Sequence, residues 1–282
     1  MATMIDHDAV TDALLEALPY ISRYVGKVVV VKIGGSIGQD GTAVEDVATL
    51  HRLGVKPVIV HGGGPMISEW QKRMGLETTF VEGRRYTDEI TLDLAQMVLS
   101  GKVNSDVVSY LNAQGVPAVG VSGIDGGMIR AERDPKLGLV GRQVTGVDLT
   151  AVRALMASGF LPVIAPSALD STGQALNVNA DSIAGDVALA FEAEKLVFFT
   201  DVAGVLDGSG QLLSSLDAEQ VRSLIASGEI KGGMIPKVEA CLRALGSVPR
   251  THILDGRVSH ALLRELFTDA GVGTMIARPT PS

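Results

Sequence analysis

The sequence predicts an α/β protein, an open three-layer sandwich whose mainly parallel central sheet carries helices on both faces. Three observations lead there. Short β-branched, apolar runs alternate along the chain with segments of helical periodicity. The two earliest runs end in glycine clusters, Gly34-Gly35 and Gly62-Gly63-Gly64. The runs are apolar throughout rather than alternating, as expected of strands covered on both faces.

From residue 8 to 24, Val10, Leu14, Leu18 and Ile21 recur at helical spacing, with Leu15 and Ala17 widening the stripe and Pro19 interrupting it; a kinked helix is expected. Residues 27–33 and 55–60 follow as strands, each passing through its glycine turn into a helix-like segment. Further strands are expected at 116–121, 161–165, 196–200 and 252–254. Helices are expected near 87–99, 149–157, 181–191, 217–226 and 235–245. Between Gly126 and Val147 shorter, Gly-punctuated segments suggest a β-hairpin excursion beside a site.

The 282 residues, 46% hydrophobic and 20% charged, suit one large unit or two closely coupled lobes. Without a long Pro- or Ser-rich linker, a boundary near 179–181 would be one that the sheet crosses. The net charge is -8 and no basic run exceeds Arg84-Arg85, so nucleic acid is not an expected partner. The single cysteine, Cys241, excludes an internal disulfide; it falls in a predicted helix as a packed small side chain, and a reducing cytoplasm is expected. Met4-Ile5-Asp6-His7-Asp8 lacks the basic start and apolar stretch of a secretory signal, and no apolar run spans a bilayer, so no membrane association is expected.

Glycines at the carboxyl ends of parallel strands let the backbone approach a ligand, and their free N–H groups with the following helix N-terminus favour an anion. Either turn alone is ordinary in a doubly wound sheet. Lys32 adds weight, because a charge inside the apolar run 28–33 is costly unless it faces a site. The chain contains no Walker A sequence and no G-x-G-x-x-G. Gly34-Gly35-Ser36-Ile37-Gly38 does match a G-x-S-x-G nucleophile elbow, and His61-Gly62-Gly63-Gly64 an esterase oxyanion loop. The order argues against a serine hydrolase, in which the oxyanion loop precedes the nucleophile strand, and that reading leaves Lys32 and Lys237 without a task.

Taken together, Lys32-Ile33-Gly34-Gly35, His61-Gly62-Gly63-Gly64-Pro65, Gly83-Arg84-Arg85-Tyr86-Thr87-Asp88, Asn177-Val178-Asn179-Ala180-Asp181, Thr200-Asp201-Val202-Ala203-Gly204-Val205 and Gly232-Gly233-Met234-Ile235-Pro236-Lys237 resemble the N-acetylglutamate kinase family. That family is a branch of the amino-acid kinases, and the resemblance runs in order from about residue 15 to 276. It implies ATP-dependent phosphorylation of the side-chain carboxylate of N-acetyl-L-glutamate, giving an acyl phosphate in arginine biosynthesis. Lys32 and Lys237 would neutralise the migrating phosphoryl group with help from the Gly35 and Gly63 N–H groups. Asp181 would orient both lysines, or cap the helix that starts there, or do both. Arg85, with Gly63, Gly64 and Asn177, would hold the amino acid. ATP would meet Gly34, Thr200, Asp201 and Gly204, with Lys231, Gly232, Gly233 and Met234 opposite, and Mg2+ would arrive on the nucleotide rather than in a protein cage. An attacking carboxylate is already ionised near neutral pH, so no general base is needed, and catalysis reduces to positioning and charge stabilisation.

The family usually has an apolar residue where Arg84 stands and Val where Tyr86 stands; Arg84 is expected as a solvated surface charge. The implied organisation is an N-terminal helix over 1–25, a substrate-binding and dimerising lobe over 26–180, and an ATP-binding lobe over 181–282. The N-terminal helix and residues 260–274 resemble the family's arginine-sensitive branch, in which that helix interlocks dimers into a hexamer, a trimer of dimers. Tyr20, Lys195, His260, Glu265 and Gly271 would then surround arginine, with Glu265 on the guanidinium. The plainer alternative is a helix packed on its own subunit and a core helix with Leu262, Leu263 and Leu266 inward. His7, His51 and His252 are expected as surface or packing histidines. Other readings are a kinase for an aminoadipate derivative of lysine synthesis, differing by one methylene in the acceptor, and a non-catalytic arginine sensor, which the joint presence of both lysines, Arg85 and Asp181 argues against.

Overall fold

The computed structural model describes residues 7–35, 42–81, 83–268 and 271–278. Met4-Ile5-Asp6, Ser36, Ile37 and Gly38 therefore lie outside the described residues. Helix α1 (His7–Tyr24) runs through Pro19. Strand β1 (Val28–Ile33), helix α2 (Ala43–Arg52), strand β2 (Lys56–His61) and helix α3 (Gly64–Arg73) follow as two βα units. A short hairpin, β3 (Phe80–Val81) and β4 (Arg84–Arg85), leads to helix α4 (Glu89–Gln96), which passes through a π-helical segment (Met97–Val103) into α5 (Asn104–Ala113).

Strand β5 (Ala118–Ser122), the excursion β6 (Ile129–Arg133) and β7 (Gly141–Val147), helix α6 (Thr150–Ala157) and strands β8 (Leu161–Ala165), β9 (Ser167–Leu169) and β10 (Ala175–Asn177) complete the first part of the chain. Then come α7 (Ala180–Phe191), β11 (Lys195–Thr200), β12 (Ser215–Asp217), α8 (Ala218–Ala226), α9 (Met234–Ala244), β13 (Arg250–Asp255), α10 (Ala261–Phe267) and β14 (Thr274–Ala277).

Eight strands form the main sheet in the order β12-β14-β13-β11-β1-β2-β8-β5, and its neighbours are parallel except for β13 and β14. The predicted excursion is real and larger than the sequence suggested: β6 and β7 join β9 and β10 in a separate four-stranded sheet. Alternation along β1 sorts the core into layers. Val29, Val31 and Ile33 face a cluster with α2, α5 and α10, whereas Val30 faces α7 and α9. Lys32 shares the face of Val30, so its side chain leaves the sheet towards α7. The short ends of β9 and β14 carry too few residues for a period to be read, which is why the sequence did not predict them.

Two features of α1 differ from the plain packing alternative. Val10, Leu14, Leu15 and Leu18 are about half exposed or more, and only the end of the helix docks, with buried Tyr24 edge-on to Phe267 at 6.3 Å. Cys241 is buried in α9, and burial pushes its thiol up to about 12, so it packs as a small apolar side chain.

Helices α7 and α9 cross closely because Gly185 has no side chain: a Cβ there would lie 2.9 Å from the Ala240 carbonyl oxygen. Gly185→Ala must push the helices apart. The expected cost is about 1–3 kcal/mol of stability, read as a lower denaturant midpoint in chemical unfolding.

Candidate active site

The site lies at the carboxyl ends of β1, β2 and β11, where β1 has its two chain-distant and chain-adjacent neighbours on opposite sides, the usual ligand position of an open parallel sheet. Its centre is Asp181 in the first turn of α7. One carboxylate oxygen lies 2.9 Å from Lys32 Nζ, an ion pair poorly aligned for a hydrogen bond; the other accepts a hydrogen bond from Lys237 Nζ at 3.0 Å. Burial alone would raise the Asp181 pKa, but the two ammonium groups outweigh it and hold the carboxyl below its ordinary range. The helix cap is Asn179, whose side chain accepts from the Asp181 and Ser182 N–H groups. The capping role considered for Asp181 therefore belongs to Asn179, because a cap must precede the first helical residue.

Two cavities meet at this triad. One, of about 540 Å³, is lined by Lys32, Gly34, Gly35, Gly62, Gly63, Gly64, Arg85, Asn177 and Asp181 among others. The second, of about 390 Å³, is lined by Thr200, Asp201, Gly204, Lys231, Gly233, Met234 and Lys237 among others. Gly34, expected with the second group, lines the first cavity, and Gly232 precedes α9 in the left-handed region, with φ +57°, without lining either. The two glycine turns touch: a Cβ on Gly35 would lie 2.5 Å from Gly63 Cα. Backbone, rather than side chains, therefore forms that wall of the first cavity.

Arg85 is buried at the rim of the first cavity. Its guanidinium donates to the Gly64 carbonyl at 2.9 Å, to Ser68 Oγ at 2.8 Å and to Gln71 Oε1, and it stacks over Phe80 at 4.9 Å. Burial lowers its pKa. Arg84 is not a free surface charge: it pairs with Asp134 at 2.8 Å and donates to the Gly141 carbonyl at 3.1 Å, tying β4 to the turn between β6 and β7. The sequence reading missed Ser68 and Gln71, whose three-residue spacing on α3 places them on one helix face. Asn177 donates to Thr87 Oγ1 at 3.3 Å.

A second polar cluster is buried between β11, β13 and α10. Glu265 Oε1 lies 3.1 Å from Lys195 Nζ and 2.7 Å from His252 Nε2, while Oε2 accepts from the Val272 N–H at 3.1 Å. Gly271 adjoins the same carboxylate, since a Cβ on it would lie 3.9 Å from Oε2. His252 is thus more than a packing histidine; its neighbours, Glu265 on α10 and Lys195 on β11, could not be read from a local pattern. His260 turns elsewhere, to Asp46 Oδ1 at 2.6 Å. Tyr20 is half-buried on α1. Burial would raise the Glu265 pKa, yet His252 and Lys195 bring it down to about 2.

The profile of the amino acid kinase family matches residues 27–255. The acetylglutamate kinase of Symbiobacterium thermophilum is 48% identical, over 94% of this chain and 96% of the relative. Among solved structures, an N-acetylglutamate synthase from Neisseria gonorrhoeae complexed with coenzyme A and N-acetyl-glutamate superposes with a TM-score of 0.84 at 28% identity, covering 96% of this chain and 64% of the synthase. The same synthase complexed with coenzyme A and L-arginine gives 0.81 at 26% identity, over 96% of this chain and 66% of the synthase. The chain belongs to the amino acid kinase family. Within it, the sequence is similar to enzymes named acetylglutamate kinase, at 42% to 48% identity over nearly its whole length.

A carboxyl whose folded pKa is depressed contributes stability above its unfolded value and loses it on acidification. For Glu265 that window opens at the ordinary 4.5 and extends down to about 2. Glu265→Gln should therefore destabilise most above pH 4.5, with the difference from wild type shrinking as the pH is lowered, measured by urea unfolding across pH.

Proposed function

We propose that this chain transfers the terminal phosphoryl group of ATP to the side-chain carboxylate of N-acetyl-L-glutamate, in the pathway to arginine. The observation that carries this is the Lys32–Asp181–Lys237 triad at the junction of two cavities. Two ammonium groups and one carboxylate leave one net positive charge there, suited to a migrating anionic group. The similarity to acetylglutamate kinases supports the substrate.

In this reading the larger cavity takes the acceptor. Arg85, already held by Ser68 and Gln71, clamps its α-carboxylate, with Asn177, Gly63 and Gly64 as further contacts. The smaller cavity takes ATP through Thr200, Asp201, Gly204, Lys231, Gly233 and Met234, with Gly232 shaping the turn. Lys32 and Lys237 neutralise the transferred oxygens, Asp181 keeps their nitrogens apart and aimed, and the Gly35 N–H assists. Both Asp181 oxygens are engaged by lysines. No three His, Cys, Asp or Glu among the described residues form a metal-holding group. In this reading a magnesium ion would arrive on the nucleotide and neutralise its phosphates. The larger cavity then belongs to a lobe over 26–180 and the smaller to one over 181–282.

Feedback by arginine follows from the same reading, with Glu265, Lys195, Gly271 and Tyr20 forming its site, His260 joining it only by leaving Asp46, and Glu265 exchanging its present partners for the guanidinium. The arginine complex of the related synthase supports this. The exposed apolar side of α1 supports its use between dimers in a hexamer. Deleting residues 2–24 should yield dimers in sedimentation, and an unchanged hexamer would rule the helix out as the link. A cytoplasmic location is in keeping with a biosynthetic enzyme; no described helix is long and apolar enough to cross a membrane.

Hydroxylamine trapping of the acyl phosphate tests the reaction, with N-acetylglutamate expected to outperform glutamate and N-acetylaminoadipate; preference for either of the latter overturns the substrate. Lys32→Ala and Lys237→Ala should each lower kcat by roughly 10²-fold or more, whereas Arg85→Lys should act mainly on KM for the acceptor.

A further inference from the structure

His61 ends β2 immediately before the second glycine turn and is completely buried. Its Nδ1 lies 2.8 Å from the Gly62 carbonyl oxygen and its Nε2 lies 3.1 Å from Asn104 Nδ2. The same Asn104 nitrogen donates to the Val163 carbonyl at 2.9 Å. Only one proton arrangement satisfies all three contacts. The amide gives one hydrogen to Val163 and the other to Nε2, which must accept, so the ring proton sits on Nδ1 and is donated to Gly62. Turning the amide over would set its oxygen against the Val163 carbonyl. Burial, helped by the nearby Lys32 charge, brings the His61 pKa down to about 4 and keeps the ring neutral.

In a trans peptide the C=O and the next N–H point in opposite directions. A Gly62 carbonyl turned towards the His61 ring therefore turns the Gly63 N–H away from it, on the wall of the larger cavity that Gly62 and Gly63 line. Asn104 is set in place by two unusual features. It begins α5 directly after the π-helical segment, whose Leu99 packs on Gly63, and it fills the space left by Gly120, where a Cβ would lie 1.8 Å from its Oδ1. Segments of this kind are frequent at functional sites.

We infer that His61 is a positioning residue for phosphoryl transfer: held in its Nδ1–H form by Asn104, it orients the Gly62–Gly63 peptide so that the Gly63 N–H faces the reacting groups. This rests on the assignment of the larger cavity to the acceptor and the transfer centre. A histidine that merely filled the core would need neither a fixed tautomer nor a donor directed at this peptide.

The test begins with the intact protein. Nitrogen-15 spectra of histidine-labelled wild type at pH 7 should show His61 as the neutral Nδ1–H tautomer; the Nε2–H tautomer or an imidazolium overturns the inference without any variant. His61→Asn keeps an amide nitrogen near the Nδ1 position and His61→Gln places one near Nε2. The kcat of His61→Asn should exceed that of His61→Gln by about tenfold or more, with both KM values within about threefold of each other, as expected of a misdirected donor. Equal kcat for the two variants, with Lys32→Ala impaired, removes the role of His61 alone. Full turnover by Lys32→Ala removes the transfer-site assignment and the inference with it.

Discussion

A carboxylate held between two ammonium groups is the constraint on which the rest of this molecule depends. Taking Asp181 out of water costs several kcal/mol, and the fold recovers that cost only if both lysines reach it from different elements. Lys32 arrives because residue parity along β1 sends it to the α7 face. Lys237 arrives because α9 lies against α7 at a crossing that the missing side chain of Gly185 permits. Strand alternation, helix contact and electrostatics thus converge on one atom pair. The excess positive charge is left where the two cavities meet.

The fold was largely legible in the sequence because its signals are local. β-branched runs ending in glycine and followed by helical periodicity are sufficient for β1 and β2 and the helices after them, and short apolar runs between helical stretches are sufficient for β8 and β11. Many of the residues that line the two cavities were legible too, because they belong to short motifs at a strand end or a helix start, whereas Ser68 on α3 was not. What escaped had no local signature. The π-helical segment continues a helical pattern without a break, and β9, β10, β12 and β14 are only a few residues long.

The same distinction holds for single side chains. Asn179 rather than Asp181 caps α7, a difference of two positions that only backbone geometry resolves. Arg84 reads as a surface charge because its partner Asp134 lies 50 residues away. His252 finds Glu265 across the sheet layer, where neither residue predicts the other. His61 was visible as part of a glycine motif, yet its ring contacts depend on Asn104, 43 residues further on. Long-range pairing, rather than residue type, marks the limit of what such patterns disclose.

The two cavities are floored by adjacent strands, β1 and β11, joined along a parallel ladder from Val29 and Lys195 to Lys32 and Phe198. A ladder of that kind resists sliding and opening, but it twists at little cost. Under the proposed function, a screw-like rotation about the shared strands, or a tilt of α9 over them, would bring the two cavities together without breaking that ladder. Torsion of the sheet would then set the separation of the two cavities, much as the jaws of pliers are set by their pivot.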